Sequence, residues 1–214
     1  MEKKSVFIVF EGGEGSGKST QAKLLAEYLS SENHPVLWTR EPGGDSGICQ
    51  DVRGILLNSE YKGKMSFRAE LLLFEADRAQ HIDRVIKPAL EEGKIIICDR
   101  YEAATYAYQC AARKVCDTEL FLEINGFAAG KLKPNFVFWI DIPPEIGLKR
   151  NADIKKSDRF EMEKVEFHQK VREGYKDYFE KIAPPDLWKK LNGELSVKEL
   201  QRQIANTLKE KQLI

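Results

Sequence analysis

The stretch Gly12 to Thr20, GGEGSGKST, constrains this chain more than any other, because it sits between the apolar run VFIVF and the helix-like AKLLAEYL. Its spacing is G-x-x-x-x-G-K-[ST], with Gly12, Gly17, Lys18 and Ser19 in the fixed places. Backbone N–H groups with almost no side chain in the way can wrap phosphate oxygens, and the following helix adds the positive end of its dipole. Lys18 is then placed to bind β- and γ-phosphate oxygens and Ser19 to ligate Mg²⁺, while Gly13, Glu14, Gly15, Ser16 and Thr20 complete the loop. An ordinary glycine-rich turn is the competing reading; the strand before it and the helix after it argue against that.

Short apolar, β-branched runs recur at 6–10, 35–39, 95–98, 136–140 and, more weakly, 187–191. They are continuous rather than alternating, as in strands buried on both faces, and the stretches between them are long enough for helices. Helical patterns cover about 18–31, 46–57, 66–91, 101–114, 118–129, 144–151, 161–183 and 196–209. Ser196 with Glu199 predicts a capping box for the last helix, and Pro184-Pro185 ends the one before it. The expected architecture is α/β: a doubly wound parallel sheet of five strands with ligands outside the carboxyl ends of the strands. A length of 214 residues fits a single domain, 1–214.

Lys and Arg number 34 and Asp and Glu 34, so no global field would hold the chain on nucleic acid or an anionic membrane. Any polyanion it binds must be small and locally held. The four cysteines, Cys49, Cys98, Cys110 and Cys116, form no C-x-x-C pair, which fits reduced thiols in a cytosol rather than a metal site. Five consecutive apolar residues near the start are too few for a signal peptide, and no later run approaches a membrane span. The expectation is a soluble, cytoplasmic protein.

Charged residues stand where such a sheet presents ligands. Asp99-Arg100 follows IIIC directly, putting a carboxylate and a guanidinium at the carboxyl edge; the Asp can order a metal shell or accept a proton, and the Arg can fork onto a phosphate. A structural Asp–Arg pair is the plainer reading. Arg40 follows the second strand in TREPGG, and Arg53 lies on the next helical segment. Phe74 and Arg78 are four apart and share a helix face, so they either stack on and bond a planar ring or serve the core. The polar run NADIKKSDR, 151–159, reads as a solvated loop or as a mobile basic lid over phosphates. His34, His81 and His168 are far apart and read as structural or surface residues.

In this order and spacing, FEGGEGSGKST, TREPGG, LLLFEADRAQH, DRY with AYQ, and FVFWIDIPPEIGLKR ending in DRFE resemble the thymidylate kinases of the bacterial type, over nearly the whole chain. The resemblance implies a P-loop NTPase fold with a short lid at about 151–160. It implies Mg²⁺-dependent transfer of the ATP γ-phosphoryl group to dTMP, with dTDP as product, and a homodimer packed through helices. Lys18, Ser19 and the loop would hold the ATP phosphates and the metal, with Asp99 organising the metal and acceptor region. Glu14 would meet the deoxyribose 3′-hydroxyl. Arg53 and Arg100, with Arg40 nearby, would hold the acceptor phosphate. Phe74 would stack on thymine, Arg78 would bond its carbonyl edge, Thr105 and Gln109 would complete base recognition, and Tyr108 would crowd the place of a ribose 2′-hydroxyl.

The variable P-loop positions carry no base, so the lid must supply transition-state charge, with Arg150 and Arg159 as candidates and Lys155 and Lys156 between them. Departures from the family pattern lie at Ala104, where a Ser is usual, at Cys110-Ala111-Ala112 after AYQ, and at Ala152 and Ile154 in the lid. Two other readings compete: a related P-loop kinase with another deoxynucleotide acceptor, and a nucleotide-dependent switch. The switch finds no guanine-specifying N-K-x-D in the chain.

Overall fold

The computed structural model describes residues 5–44, 47–153 and 158–214. Five strands, β1 (Val6–Glu11), β2 (Val36–Arg40), β3 (Ile95–Asp99), β4 (Phe136–Asp141) and β5 (Trp188–Asn192), form one sheet in the order β2-β3-β1-β4-β5. Every pairing is parallel, with Val6 beside Ile95 and Ile8 beside Phe136 setting the register of the central strand. The central β1 is buried along its whole length, which is why its sequence shows no polar alternation.

Its side chains divide between two faces. Val6, Ile8 and Phe10 pack with Ala22, Leu25 and Leu29 of α1 (Lys18–Ser31) and with Leu200, Ile204 and Leu208 of α9 (Val197–Glu210). Phe7 and Val9 face Ile82, Ile86, Ile96 and Tyr101. Each such side chain contributes about 1.5–3 kcal/mol of burial before chain entropy is counted. The predicted capping box of α9 is present, with Ser196 and Glu199 bonded reciprocally.

The other helices are α2 (Ile48–Leu57), α3 (Phe67–His81), α4 (Lys87–Glu91), α5 (Glu102–Thr105), α6 (Thr118–Ala128), α7 (Pro144–Asp153) and α8 (Val165–Lys181). The helix expected over 66–91 is interrupted by a π segment, Ile82–Ile86. Pro88 lacks an N–H and its ring crowds the carbonyl four residues back, so a widened turn lies just upstream of it. The helix expected over 101–114 likewise widens into a π segment, Tyr106–Ala112, which carries Tyr108 and Gln109. The helix expected from 161 begins only at Val165, because Asp158 accepts from the backbone N–H groups of Phe160 and Glu161 and closes a turn there.

An aromatic cluster fixes that π segment. Tyr106, Phe121, Trp139, Tyr175, Tyr178 and Phe179 pack together, with Trp139 stacked on Phe179 at 5.3 Å between ring centres. Here the structure corrects the reading of four reduced thiols: Cys110 and Cys116 are joined as a disulfide, because the chain folds back after the π segment and brings their Cα atoms to 5.0 Å. Cys49 and Cys98 are free and buried. Among the described residues, no helix is long and apolar enough to cross a membrane.

Candidate active site

The strand order reverses around β1, whose neighbours are β3 and β4, so the loop leaving β1 emerges at the point where α/β sheets bind ligands. That loop is the glycine-rich one. Gly17, at φ 90°, begins α1 with no side chain capping it, which leaves the first turn's N–H groups directed at whatever the loop holds. Gly15, at φ 66°, lies so close to Gly147 of α7 that a Cβ would fall 2.0 Å from the Gly147 carbonyl oxygen. Two glycines thus let the loop and α7 touch backbone to backbone. Lys18 is buried and its Nζ donates to the Gly13 carbonyl at 3.1 Å, curling back over the loop.

A cavity of about 150 Å³ runs from Lys18 and Ser19 to Phe74, Arg78 and Gln109. Glu14, Arg40, Arg53, Asp99, Arg100, Thr105 and Tyr108 also line it, so residues read from four separate motifs meet in one space. Ser19 donates its hydroxyl to Asp99 Oδ2, joining the start of α1 to the end of β3. Asp99 Oδ1 is buried without a hydrogen-bond partner. A hydroxyl oxygen beside a carboxylate with an unused oxygen is the donor set Mg²⁺ takes when substrate phosphates and water supply the rest. The residues present therefore fit the metal.

Arg100 is a heavily engaged cation. It has a left-handed backbone, φ 72°, and donates to the Gly12 carbonyl at 3.2 Å, to Tyr175 Oη at 3.0 Å, to Tyr108 Oη at 3.2 Å and to Glu14. Glu11 holds this turn from beneath. Its Oε1 accepts from the Tyr101 and Ala104 N–H groups at 2.8 and 3.2 Å, and its Oε2 accepts from Tyr175 at 3.0 Å. Full burial pushes the Glu11 carboxyl up to about 7, partly opposed by the nearby Arg100 charge. Arg53 donates to the Pro42 carbonyl at 2.7 Å, and burial together with Arg40 draws its pKa down.

The TREPGG turn and the ADRAQH helix are one unit. Asp77 accepts from the Gly43 N–H at 2.9 Å, His81 meets Glu41 at 3.1 Å and Thr39 at 2.7 Å, and Arg78 Nε donates to Glu41 at 3.0 Å. Arg78 also donates to Asn125 and Thr105, each at 3.0 Å, and forms an ion pair with Glu75 at 2.9 Å. Three of its five donor hydrogens are in hydrogen bonds, Glu75 pairs with it by charge, and one hydrogen on Nη2 is left for a ligand. Phe74 is half-buried, with its ring 5.9 Å from that of Phe160.

The lid candidates separate. Arg150 is exposed on α7 and donates to the Gly15 carbonyl at 3.4 Å and the Gly193 carbonyl at 3.0 Å, beside the phosphate loop. Arg159, expected as a mobile cation over the phosphates, is instead buried, with Nη1 2.5 Å from Glu70 Oε2 and Nε donating to the Leu56 carbonyl at 2.9 Å. Its place within the Asp158 turn carries it inward toward Glu70 of α3. Lys155, Lys156 and Ile154 lie outside the described residues. Of the histidines, His81 and His168 are buried and His34 is exposed.

Sequence reasoning passed over Glu11, Glu41, Glu70, Tyr175 and the lining residues Asp158 and Phe160. An acid directly before Gly12, at the end of an otherwise apolar buried strand, was a signal available in the sequence.

A family model described as thymidylate kinase matches residues 10–204. The chain is 43% identical over 206 residues to a thymidylate kinase of Symbiobacterium thermophilum, covering 96% of this chain and 94% of that one. A thymidylate kinase of a Sulfurihydrogenibium species is 45% identical, with 97% and 98% covered, and one of Bacillus licheniformis is 40% identical, with 96% and 95% covered. With a phosphate loop, a strand-end Asp-Arg pair and the motifs around the cavity matched nearly end to end, the chain belongs to the thymidylate kinase family.

Proposed function

We propose that the protein transfers the γ-phosphoryl group of ATP to dTMP, giving dTDP, within a single catalytic domain. The observation that carries this reading is the one cavity that joins Lys18 and Ser19 to Phe74, Arg78 and Gln109, with Glu14, Arg100 and Tyr108 between them. A phosphate loop alone would serve any nucleotide hydrolase. A cavity that continues from the phosphate loop past arginines to an aromatic ring calls for a nucleoside monophosphate beside the nucleotide.

Phosphoryl transfer passes through a transition state with charge spread over the transferred oxygens, so the enzyme works by alignment and electrostatic neutralisation. Loop amides and Lys18 hold the donor phosphates. Arg100, pinned between Glu14 and Tyr175, and Arg53, pinned on the Pro42 carbonyl, present donors to the acceptor phosphate, with Arg40 beside them. Ser19 and Asp99 would hold Mg²⁺, which would neutralise charge on the phosphate oxygens. Phe74 and Arg78 receive the base, Thr105 and Gln109 complete its contacts, and Glu14 and Tyr108 close on the sugar. Arg150, at the edge of the loop, is the described residue placed to bring lid charge to the transferred group.

Apolar side chains exposed on neighbouring helices, Ile55 on α2, Leu72 on α3 and Phe127 on α6, support assembly as a homodimer through those helices. A cytoplasmic enzyme is the setting its soluble substrates imply. The test is ADP release from ATP and Mg²⁺ with dTMP as acceptor, compared with dUMP, dCMP and dGMP. Strong stimulation by dTMP is expected. A different preferred acceptor would support instead the reading of a related kinase, whose observation is Ala104 lining the cavity.

A further inference from the structure

Glu70, in the first turn of α3, is wholly buried, although its sequence setting, AELLLF, marks it as nothing more than a helix residue. A carboxyl group without solvent must be met by donors, and three side chains meet this one. Gln109 Nε2 donates to Oε1 at 2.9 Å, Arg159 Nη1 donates to Oε2 at 2.5 Å, and Arg113 Nε lies 3.6 Å from Oε1. The three come from different places: Gln109 from the π segment, Arg113 from just past its end, and Arg159 from the Asp158 turn.

The Gln109 bond has a chemical consequence. A carboxylate accepts hydrogen bonds and offers none, so the Gln109 carboxamide must turn its nitrogen toward Glu70. Its carbonyl oxygen is then the amide atom left for the cavity, which Gln109 lines. An acceptor at that position suits a ring nitrogen that carries a hydrogen, as N3 of thymine does. It opposes cytosine, whose N3 is itself an acceptor. Rotating the amide by half a turn would reverse the preference, and without Glu70 nothing among these contacts fixes which way it points.

We infer that Glu70 is a positioning residue for base selectivity: it locks the Gln109 carboxamide with its oxygen toward the acceptor base and, through Arg159, ties that orientation to the Asp158 turn. The inference rests on the cavity being the dTMP site. Glu70 does not touch the substrate. It acts through Gln109, because a hydrogen bond inside a buried polar network favours one arrangement of its partners.

The experiment measures kcat/KM for dTMP and dCMP, with ATP and Mg²⁺, in the full chain and in Glu70→Gln, Gln109→Leu and the double variant. Glu70→Gln should lower the dTMP to dCMP ratio at least tenfold while the KM for ATP stays within twofold. In the Gln109→Leu background the same substitution should change the ratio less than twofold. An unchanged ratio in Glu70→Gln, or an equal fall in both backgrounds, overturns the inference. A wild-type protein that uses dCMP as well as dTMP overturns the reading of the cavity instead. Should Glu70→Gln fail to fold, the unaltered protein answers by side-chain amide NMR, the Gln109 signal being the one lost in Gln109→Leu. A Gln109 amide hydrogen protected from exchange before and after dTMP is added supports the lock, and rapid exchange in both states overturns it.

Discussion

Tyr108 donates its hydroxyl hydrogen to Glu14 Oε1 across 2.9 Å, so the π segment proposed to face the acceptor is tied directly to the glycine-rich loop. Burial first, and Glu14 with it, pushes the Tyr108 phenol well up against the opposing pull of Arg100, which keeps the hydrogen on the ring and available to Glu14. The two substrates of a phosphoryl transfer must be aligned to within fractions of an ångström, and this bond is part of what aligns their sites.

Tyr108→Phe removes that bond and leaves the ring. A hydrogen bond to a charged group is worth about 1.5–3 kcal/mol, so the KM for dTMP should rise about tenfold or more, with the KM for ATP changed less than threefold. Steady-state kinetics in both substrates checks this. Equal rises would place the effect in the loop as a whole.

Lys18→Ala should lower kcat by about 10²–10³, the usual cost of removing one positioned donor from developing charge. The unfolding midpoint should barely move, because the Lys18 bond to the Gly13 carbonyl is a loop contact rather than a core one. Single-turnover rates with saturating ATP and dTMP are the measurement.

Arg78→Ala should be costly to the fold as well as to binding. It strips Glu41 and Glu75 of their shared buried cation, and breaking a buried pair costs about 3–5 kcal/mol. Urea unfolding should show the loss without any ligand present.

Much of this was legible in the sequence, and the boundary of legibility has physical causes. The strand and helix around GGEGSGKST were readable because a buried parallel strand shows an unbroken apolar run and Gly17 marks the helix start. The pairing of TREPGG with ADRAQH was readable only as two motifs. That Asp77, Arg78 and His81 hold Gly43, Glu41 and Thr39 is a contact between distant segments with no local period. Arg159 was misplaced because a polar run reads as solvated, whereas the Asp158 turn folds its last residues inward toward Glu70. The π segments were invisible for a similar reason: their spacing differs from an α-helix by one residue per turn, within the tolerance of an apolar pattern.

Arg150 and Arg159 should therefore behave differently. Arg150→Ala should depress kcat while leaving stability within about 0.5 kcal/mol, as for an exposed side chain. Arg159→Ala leaves the buried Glu70 short of a charge partner and should lower stability by about 3–5 kcal/mol. Comparing urea midpoints and kcat for the pair separates the roles.

Glu11 gives stability a pH dependence of known sign. Its carboxyl is raised from 4.5 to about 7 in the folded state, so between those values the folded chain binds more protons than the unfolded one. Stability from this group is present below the unfolded value and is lost as pH rises through the folded one, by about 3 kcal/mol at about 1.4 kcal/mol per unit. Asp77, raised from 3.8 to about 6 chiefly by burial, adds in the same direction. Glu11→Gln should therefore gain on the wild type as pH rises from 5 to 7.5, whatever its absolute stability. Urea unfolding of both proteins at the two pH values reads the difference, and a gap that does not change would contradict the raised carboxyl.

The most direct measurement of the central claim is the rate of ADP formation from ATP and Mg²⁺ by the purified protein, with and without dTMP, beside dUMP, dCMP, dGMP, the TMP ribonucleotide and thymidine. The account predicts strong stimulation by dTMP, less by dUMP and little by the rest, with dTDP formed in step with ADP. ADP formation that no monophosphate stimulates would contradict it.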